Sequence, residues 1–373
     1  RLDLAREAAA VNAGDEVPGT AAPAQLTWMV VGVMAFVGVI IAVRDHRILQ
    51  RFTYTSALGG IVLLLLPLLP LIGHEVRGAR IWIQIGPMTF QPGEAAKIVL
   101  IIAFAGYLVR TKDALALAGR RVLGVDLPRA RDLGPILVVW IAALGILAVQ
   151  NDLGPSLLIF GTFVLMIYVA TERISWVVLG IVLAAVGGFA ANAAFSHVQA
   201  RIDGWLDPFQ DTDRFGQIVQ SLYGLAYGGL TGTGLGQGRP DLVPFAESDF
   251  IAAALGEELG LTGLMAIIVL YALLVSRGLR ASLVLRDPFG KLLAMGLAAT
   301  LMLQVFIVIG GVTKLIPLTG LTTPFLSQGG SSLVMNWVLV ALLVRLSHAA
   351  RRPAPTAPPP TVDDAVTQVV KTQ

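Results

Sequence analysis

Of the 373 residues, 55% are hydrophobic and only 14% are charged, well short of the roughly 25% charge of a water-soluble domain, and the mean hydropathy of +0.76 places the chain in a membrane. Cysteine is absent, which excludes disulfides, thiolate catalysis and cysteine-held zinc or iron–sulfur centres; His46, His74, His197 and His348 show no metal-ligand spacing. The net charge of +3 does not signal nucleic acid, because the basic residues are sorted by membrane side and form no single patch.

The first 25 residues are polar and contain Ala and Pro, with no initiator Met and no signal-peptide pattern. They read as an extracytoplasmic segment of a longer protein. A bilayer core about 30 Å thick needs roughly 20 apolar residues per helix. Nine stretches qualify: 26–43, 55–73, 94–109, 135–149, 155–170, 174–193, 250–275, 291–313 and 329–346. The expected class is therefore all-α, a polytopic transmembrane helical bundle. The fourth and fifth spans flank QNDLGPS, whose Asp152, Gly154 and Pro155 interrupt a helix, and the reading is a tight hairpin with Asp152 at its tip. The tail over 349–373 is Pro-rich and is expected to be disordered.

Lys and Arg concentrate on cytoplasmic loops. The set comprising 44–51, 110–134, 171–173, 276–291 and 345–352 holds more than twice as many of them as the alternate set. That assigns the first set and the C-terminus to the cytoplasm and turns the long loop 196–249 outward. Within that loop, IVQSLYGLAYGGL suits a helix lying at the membrane surface. GGLTGTGLGQG lacks the Gly-Lys-Ser/Thr ending of a P-loop, leaving simple flexibility or a backbone nest for an anion.

At the end of this loop, SDFIAAALGEELG puts Asp249 just before a helix starting at Phe250. An aspartate there can cap the helix, or it can stand as a lone base at the mouth of the bundle. Glu257, eight residues on, would sit about 12 Å deeper and about 80° around a continuous helix, too far for a two-carboxylate dyad. Glu257 and Glu258 are expected to line the bundle interior. In FQPGEAAK, Pro92 suits a first helical turn, and Glu94 and Lys97 are i, i+3 neighbours. They either neutralise each other or line a polar cavity. Lys314, alone in the last outer loop, could meet a phosphate or snorkel.

FQPGEAAK, QNDLGPS, WLDPF, GQIVQS, GTGLGQG, SDFIAAALGEELG and IPLTGLTTPFLSQGGSS, in this order, resemble the RodA/FtsW/SpoVE (SEDS) family, and most of all its actinobacterial RodA-like members. The likeness runs from about residue 26 to about 350. It implies a membrane glycosyltransferase that polymerises lipid II into peptidoglycan strands outside the cell membrane, for elongation or division, beside a class B penicillin-binding transpeptidase. Such proteins commonly have ten spans, so the first family helix is expected to precede Arg1. The resemblance maps the catalytic aspartate onto Asp249, the acid and base of E-x-A-K onto Glu94 and Lys97, and the hairpin aspartate onto Asp152. It maps the Gln-Ser pair onto Gln220 and Ser221 and the arginine ahead of L-D-P onto Arg201. This chain departs from the family pattern with Phe245 after Pro244, with Ser327, Gln328, Gly329 and Gly330 in place of S-Y-G-G, and with FIAA in place of F-I-F-A.

Glycosyl transfer from a polyprenyl diphosphate needs a base near the acceptor hydroxyl, positive charge at the departing diphosphate and a groove open to lipid. Asp249 supplies the base, a contribution of about 10²- to 10⁴-fold. Lys97, Arg201 and Lys314 are the candidate cations; a divalent cation is a further candidate, and no nucleotide is needed. Two other readings compete: a lipid II flippase, motivated by the intramembrane charges, and a non-catalytic scaffold for the transpeptidase. A flippase has no need of one carboxylate at the outer mouth, and a scaffold has none for intramembrane ion pairs.

Overall fold

Lipid offers backbone N–H and C=O groups no partner, so apolar stretches in a membrane protein close their hydrogen bonds within helices. The computed structural model describes residues 21–352, apart from residue 71 and the stretches 77–78, 86–87, 117–119, 123–124 and 128–129. Most of the N-terminal segment expected at 1–25, and the Pro-rich tail from 353 onward, lie outside the described residues. Among the described residues, seven helices are long and apolar enough to cross a membrane: α1 (Ala21–Ala42), α4 (Pro92–Ala116), α6 (Leu153–Thr171), α7 (Ser175–Ala194), α10 (Ile251–Val284), α11 (Pro288–Val312) and α12 (Gly330–Ala350). Two shorter apolar pieces, α3 (Thr53–Leu65) with the turn that follows it and the stretch Leu137–Val149 of α5 (Ala130–Val149), fill the remaining expected positions, and a five-residue helix, α2 (Arg47–Arg51), precedes α3.

α4 and α11 form the centre of the bundle, with 78% of their apolar windows buried; α1 and α7, at 6%, face outward to lipid. Phe104 of α4, Trp140 of α5 and Phe163 of α6 meet in the core, with ring centroids of the Phe pair 4.8 Å apart and those of Trp140 and Phe163 5.2 Å apart. Leu293 and Leu297 of α11 and Leu346 of α12 complete the same cluster.

Two connections read as plain loops contain strands. β1 (Gly73–Val76), β2 (Ala79–Ile85) and β3 (Met88–Phe90) form an antiparallel sheet, pairing His74 with Trp82 and Ile83 with Phe90. β4 (Arg120–Val122) and β5 (Val125–Leu127) form a hairpin. In β2, isoleucines 81, 83 and 85 alternate with Trp82 and Gln84, the period-2 pattern of a half-buried strand. β3 runs into α4, whose start is tied to α12 by a hydrogen bond from Gln91 N to Ser331 Oγ (2.9 Å).

The segment 196–249 is structured, with α8 (Ser196–Leu206) and α9 (Gly216–Gly228). α9 lays Ile218, Leu222 and Leu225 against Ala252, Ala253 and Phe250 at the start of α10, with Val243 and Ala246 beneath. α10 itself kinks at Gly260 (φ 72°, ψ −177°). The glycine-rich run is neither a flexible tether nor an anion nest: it pairs with the backbone groups freed by the kink. Thr233 N donates to Glu257 O, Gly234 N to Glu258 O, Leu261 N to Gly229 O and Thr262 N to Leu230 O, at 2.9 to 3.1 Å. A β-carbon on Gly232 would stand 2.2 Å from Glu258 O, and one on Gly260 2.3 Å from Gly232 N, so the two backbones approach as only glycine allows.

Candidate active site

Three pieces of chain meet where α10 begins. Phe250, 1% exposed, anchors the first. It is the N-cap of α10 and has no side-chain cap hydrogen bond; Asp249 stands one residue before the cap position, with a partly exposed side chain. The second piece is the loop 313–329. Ser327 Oγ donates to Ser248 O (2.6 Å) and accepts from Thr323 N (2.7 Å), while Gln328 N donates to Glu247 O (2.7 Å). Tyr271 of α10 donates its hydroxyl to Pro324 O in the same loop. The third piece is α8, docked on that loop by Trp205 Nε1 to Lys314 O (3.1 Å), Lys314 Nζ to Leu206 O (3.3 Å) and Arg201 Nη1 to Leu318 O (3.2 Å).

This docking puts Arg201 beside Asp249. The place where a β-carbon would stand on Gly320 (φ +74°) is 3.7 and 3.9 Å from Arg201 Nη2 and Nη1, and 3.9 Å from Asp249 Oδ2. Asp152, in the turn between α5 and α6, feels both groups. Burial pushes its carboxyl up to about 7; the Arg201 charge pulls it down, and the negative charges of Glu94 and Asp249 push it further up. Burial lowers the Arg201 guanidinium from its usual range, opposed by the charges of Asp152 and Asp249. Four segments distant in sequence therefore share one electrostatic field.

Glu94 and Lys97 extend that field into the bundle. Both are buried, with Lys97 Nζ 2.6 Å from Glu94 Oε2 and donating to Gln304 Oε1 of α11 (3.0 Å). Gln304 Nε2 donates to Thr322 O (2.9 Å), and Thr322 Oγ1 to Ser332 Oγ of α12 (2.8 Å). A polar chain thus runs from the intramembrane ion pair to the loop that carries Gly320.

The other named residues take different places. Lys314 directs its ammonium to a backbone carbonyl of α8 and so acts as a strut. Ser221 is fully buried and donates to Ile218 O within α9 (2.8 Å), whereas Gln220 is exposed on the same helix. Glu257 is buried and accepts from Arg239 N (2.7 Å). Sequence reasoning gave no site role to Gly320, Ser327 or Gln304. The available signal was the density of Thr and Ser in LTGLTTPFLSQGGSS, since hydroxyls inside an apolar bundle need partners. Among the described residues no group of three or more His, Asp or Glu side chains is placed to hold a metal ion, and no step below runs through one.

Fold and site together define a polytopic membrane protein with an acid, a guanidinium and a second acid gathered at one end of its bundle. The sequence profile of the FtsW/RodA/SpoVE cell cycle proteins matches residues 8–352, and the chain belongs to that family. It is 52% identical over 336 residues to the peptidoglycan glycosyltransferase RodA of Mycobacterium tuberculosis, covering 90% of this chain and 72% of that protein. It is 35% identical over 323 residues to the probable peptidoglycan glycosyltransferase FtsW of Geobacter metallireducens, covering 85% of this chain and 83% of that one. Among solved structures, it is similar to a chain from a study of how a peptidoglycan synthase complex coordinates polymerization and crosslinking. The TM-score is 0.70 at 26% identity, over 94% of this chain and 97% of that one. The likeness to actinobacterial RodA read from the motifs therefore holds.

Proposed function

We propose that this protein is a peptidoglycan glycosyltransferase that polymerises lipid II into glycan strands at the outer face of the cell membrane, serving elongation or division. The observation that carries the reading is the convergence of Asp249 and Arg201 over Gly320. The carboxylate of Asp249 takes the proton of the acceptor sugar hydroxyl. The freed oxygen bonds to the anomeric carbon of the donor as the bond from that carbon to the diphosphate breaks. The polyprenyl diphosphate leaves with the electron pair, and the Arg201 guanidinium offsets its charge, the kind of fixed electrostatic stabilisation that dominates such steps. Asp152, whose proton affinity sits near neutral pH, adjusts the charge beside Arg201. Residues 26–348 form the catalytic transmembrane domain.

Orientation rests on the Lys and Arg bias: the end bearing Asp249 faces outward, and the C-terminus lies in the cytoplasm. A class B penicillin-binding transpeptidase is the partner, a reading supported by the likeness to a chain of a synthase complex. Glu94 and Lys97 are paired with each other and with Gln304, which weighs against an open charged path for a flippase. The test gives labelled lipid II to the purified protein with its transpeptidase, comparing wild type with Asp249→Asn. Glycan chains from wild type alone are expected. Equal product from both would refute the assigned base, and lipid transfer across vesicles without polymer would favour the flippase.

A further inference from the structure

The opposite end of the bundle holds a second charged concavity that glycosyl transfer does not use. The turns after α1 and α10 and the end of α12 enclose a cavity of about 250 Å³. Five arginines line it, Arg44, Arg47, Arg286, Arg345 and Arg352, against Asp45 and Asp287.

Some of this charge is already committed. Asp287 caps α11 through Gly290 N (2.6 Å), binds His46 Nε2 at 3.0 Å and faces Arg47 at 3.9 Å. Asp45 accepts from Arg47 N (3.0 Å). Arg345 donates to Val43 O (2.7 Å) and to Arg44 O, which pins α12 to the end of α1. Arg44, Arg286 and Arg352 are exposed, and their guanidinium groups have no ion-pair or hydrogen-bond partner among the described residues. Cytoplasmic charge bias alone gives scattered, solvated arginines; Arg277 and Arg280, on the same part of α10, stay outside the cavity. Here three unpaired guanidiniums border one hollow whose walls are fixed by the Asp287 cap and the Arg345 clamp. The guanidinium fork matches phosphate oxygens in pairs, and basic pockets between membrane helices take acidic headgroups. Ile41, Leu283 and Val284, all exposed, continue apolar surface from the rim.

We propose that this basin binds a phosphate-bearing anion through Arg44, Arg286 and Arg352. The phosphate comes from the headgroup of an anionic phospholipid or from soluble phosphate, and the apolar rim argues for the lipid.

The test uses the purified full chain in detergent. Native mass spectrometry measures retention of phosphatidylglycerol against phosphatidylcholine, and thermal melting is followed with added inorganic phosphate. Wild type is expected to prefer phosphatidylglycerol, each basin arginine contributing about fivefold. R44Q/R286Q/R352Q is expected to lose the preference, and R280Q, which removes one charge outside the basin, to keep it. Phosphate stabilisation of wild type that the triple variant loses, without a lipid preference, supports the site with soluble phosphate as the source. No lipid preference and no phosphate effect in wild type overturns the proposal, as does equal loss in R280Q, since bulk charge would then suffice. Should the triple variant fail to fold, R286Q alone is read in the same way, and an unchanged preference overturns the proposal.

Discussion

Arg201 and Asp249 come from segments 48 positions apart and converge on a residue that has no side chain: Nη2 of the one and Oδ2 of the other stand 3.7 and 3.9 Å from where Gly320 would carry a β-carbon. Both side chains thus lie against a glycine in the left-handed region. In Gly320→Ala the new methyl group would only touch both side chains at van der Waals distance, but at a φ of +74° the backbone would be strained by about 1–2 kcal/mol, which moves the loop that both groups lie against. Polymerisation is expected to fall at least tenfold while the protein still folds, checked by lipid II polymerisation beside a melting curve. Unchanged activity would show that the two groups do not depend on the left-handed turn at Gly320.

Asp152 gives the site a pH signature. Its carboxyl is raised to about 7 in the folded protein, so the folded state holds a proton that the unfolded chain releases near pH 4. The stability it contributes is complete below about pH 4 and fades as pH rises through about 7. Asp152→Asn is expected to flatten the melting temperature between those limits. Arg201→Gln removes the cation that lowers the Asp152 carboxyl, so its fading window should move to higher pH. Melting temperatures across that range for the three proteins decide the matter.

Removing one partner of the Glu94–Lys97 pair leaves a buried charge alone, an effect of about 3–5 kcal/mol. Glu94→Gln and Lys97→Met are each expected to destabilise strongly, and E94Q/K97M to recover much of the loss. Unfolding in mixed detergent micelles provides the double-mutant cycle, and additive losses would mean the two charges act independently.

The glycine-rich run should tolerate no methyl groups where it crosses the α10 kink. Gly232→Ala and Gly260→Ala, with backbone atoms 2.2 and 2.3 Å from the new carbon, are expected to release the run and expose 228–238 to proteolysis. Gly187→Ala, which meets nothing within 4 Å on α7, serves as the control. Digestion at equal rates in all three would sink the close-approach account.

Asp287 combines a helix cap with an ion pair. Burial raises its carboxyl, but the hydrogen bonds from His46 and Gly290 N and the charges of His46 and Arg47 outweigh it, and the net shift is downward. Its stabilisation is therefore present above the ordinary carboxylate value and lost as pH falls through its folded one. Asp287→Ala is expected to cost about 1–2 kcal/mol through the lost cap, with the gap from wild type closing in acid. A gap that persists in acid would point to packing instead.

The nine apolar segments were legible because lipid imposes length and hydropathy directly on sequence, although α10 runs to Val284, beyond the expected 275. ARIWIQI escaped notice because a membrane-length window averages away its alternation. Asp249, Arg201 and Asp152 each stood out through a motif, but their common field depends on the loop 313–329, whose contacts cross more than a hundred positions. Glycine spacing in 228–238 fits a tether, a nest or a close crossing equally well, and only the partner backbone distinguishes them. Lys314 and Ser221 show the same limit, since spacing gives a donor no acceptor.

The loop between α11 and α12 touches Arg201 through Leu318 and the run-up to Asp249 through Ser327. These two anchor points lie on one short piece of chain, so its contour acts as a ruler between opposite charges. Any tilt of the helices within the bilayer carries the ruler along with both marks on it.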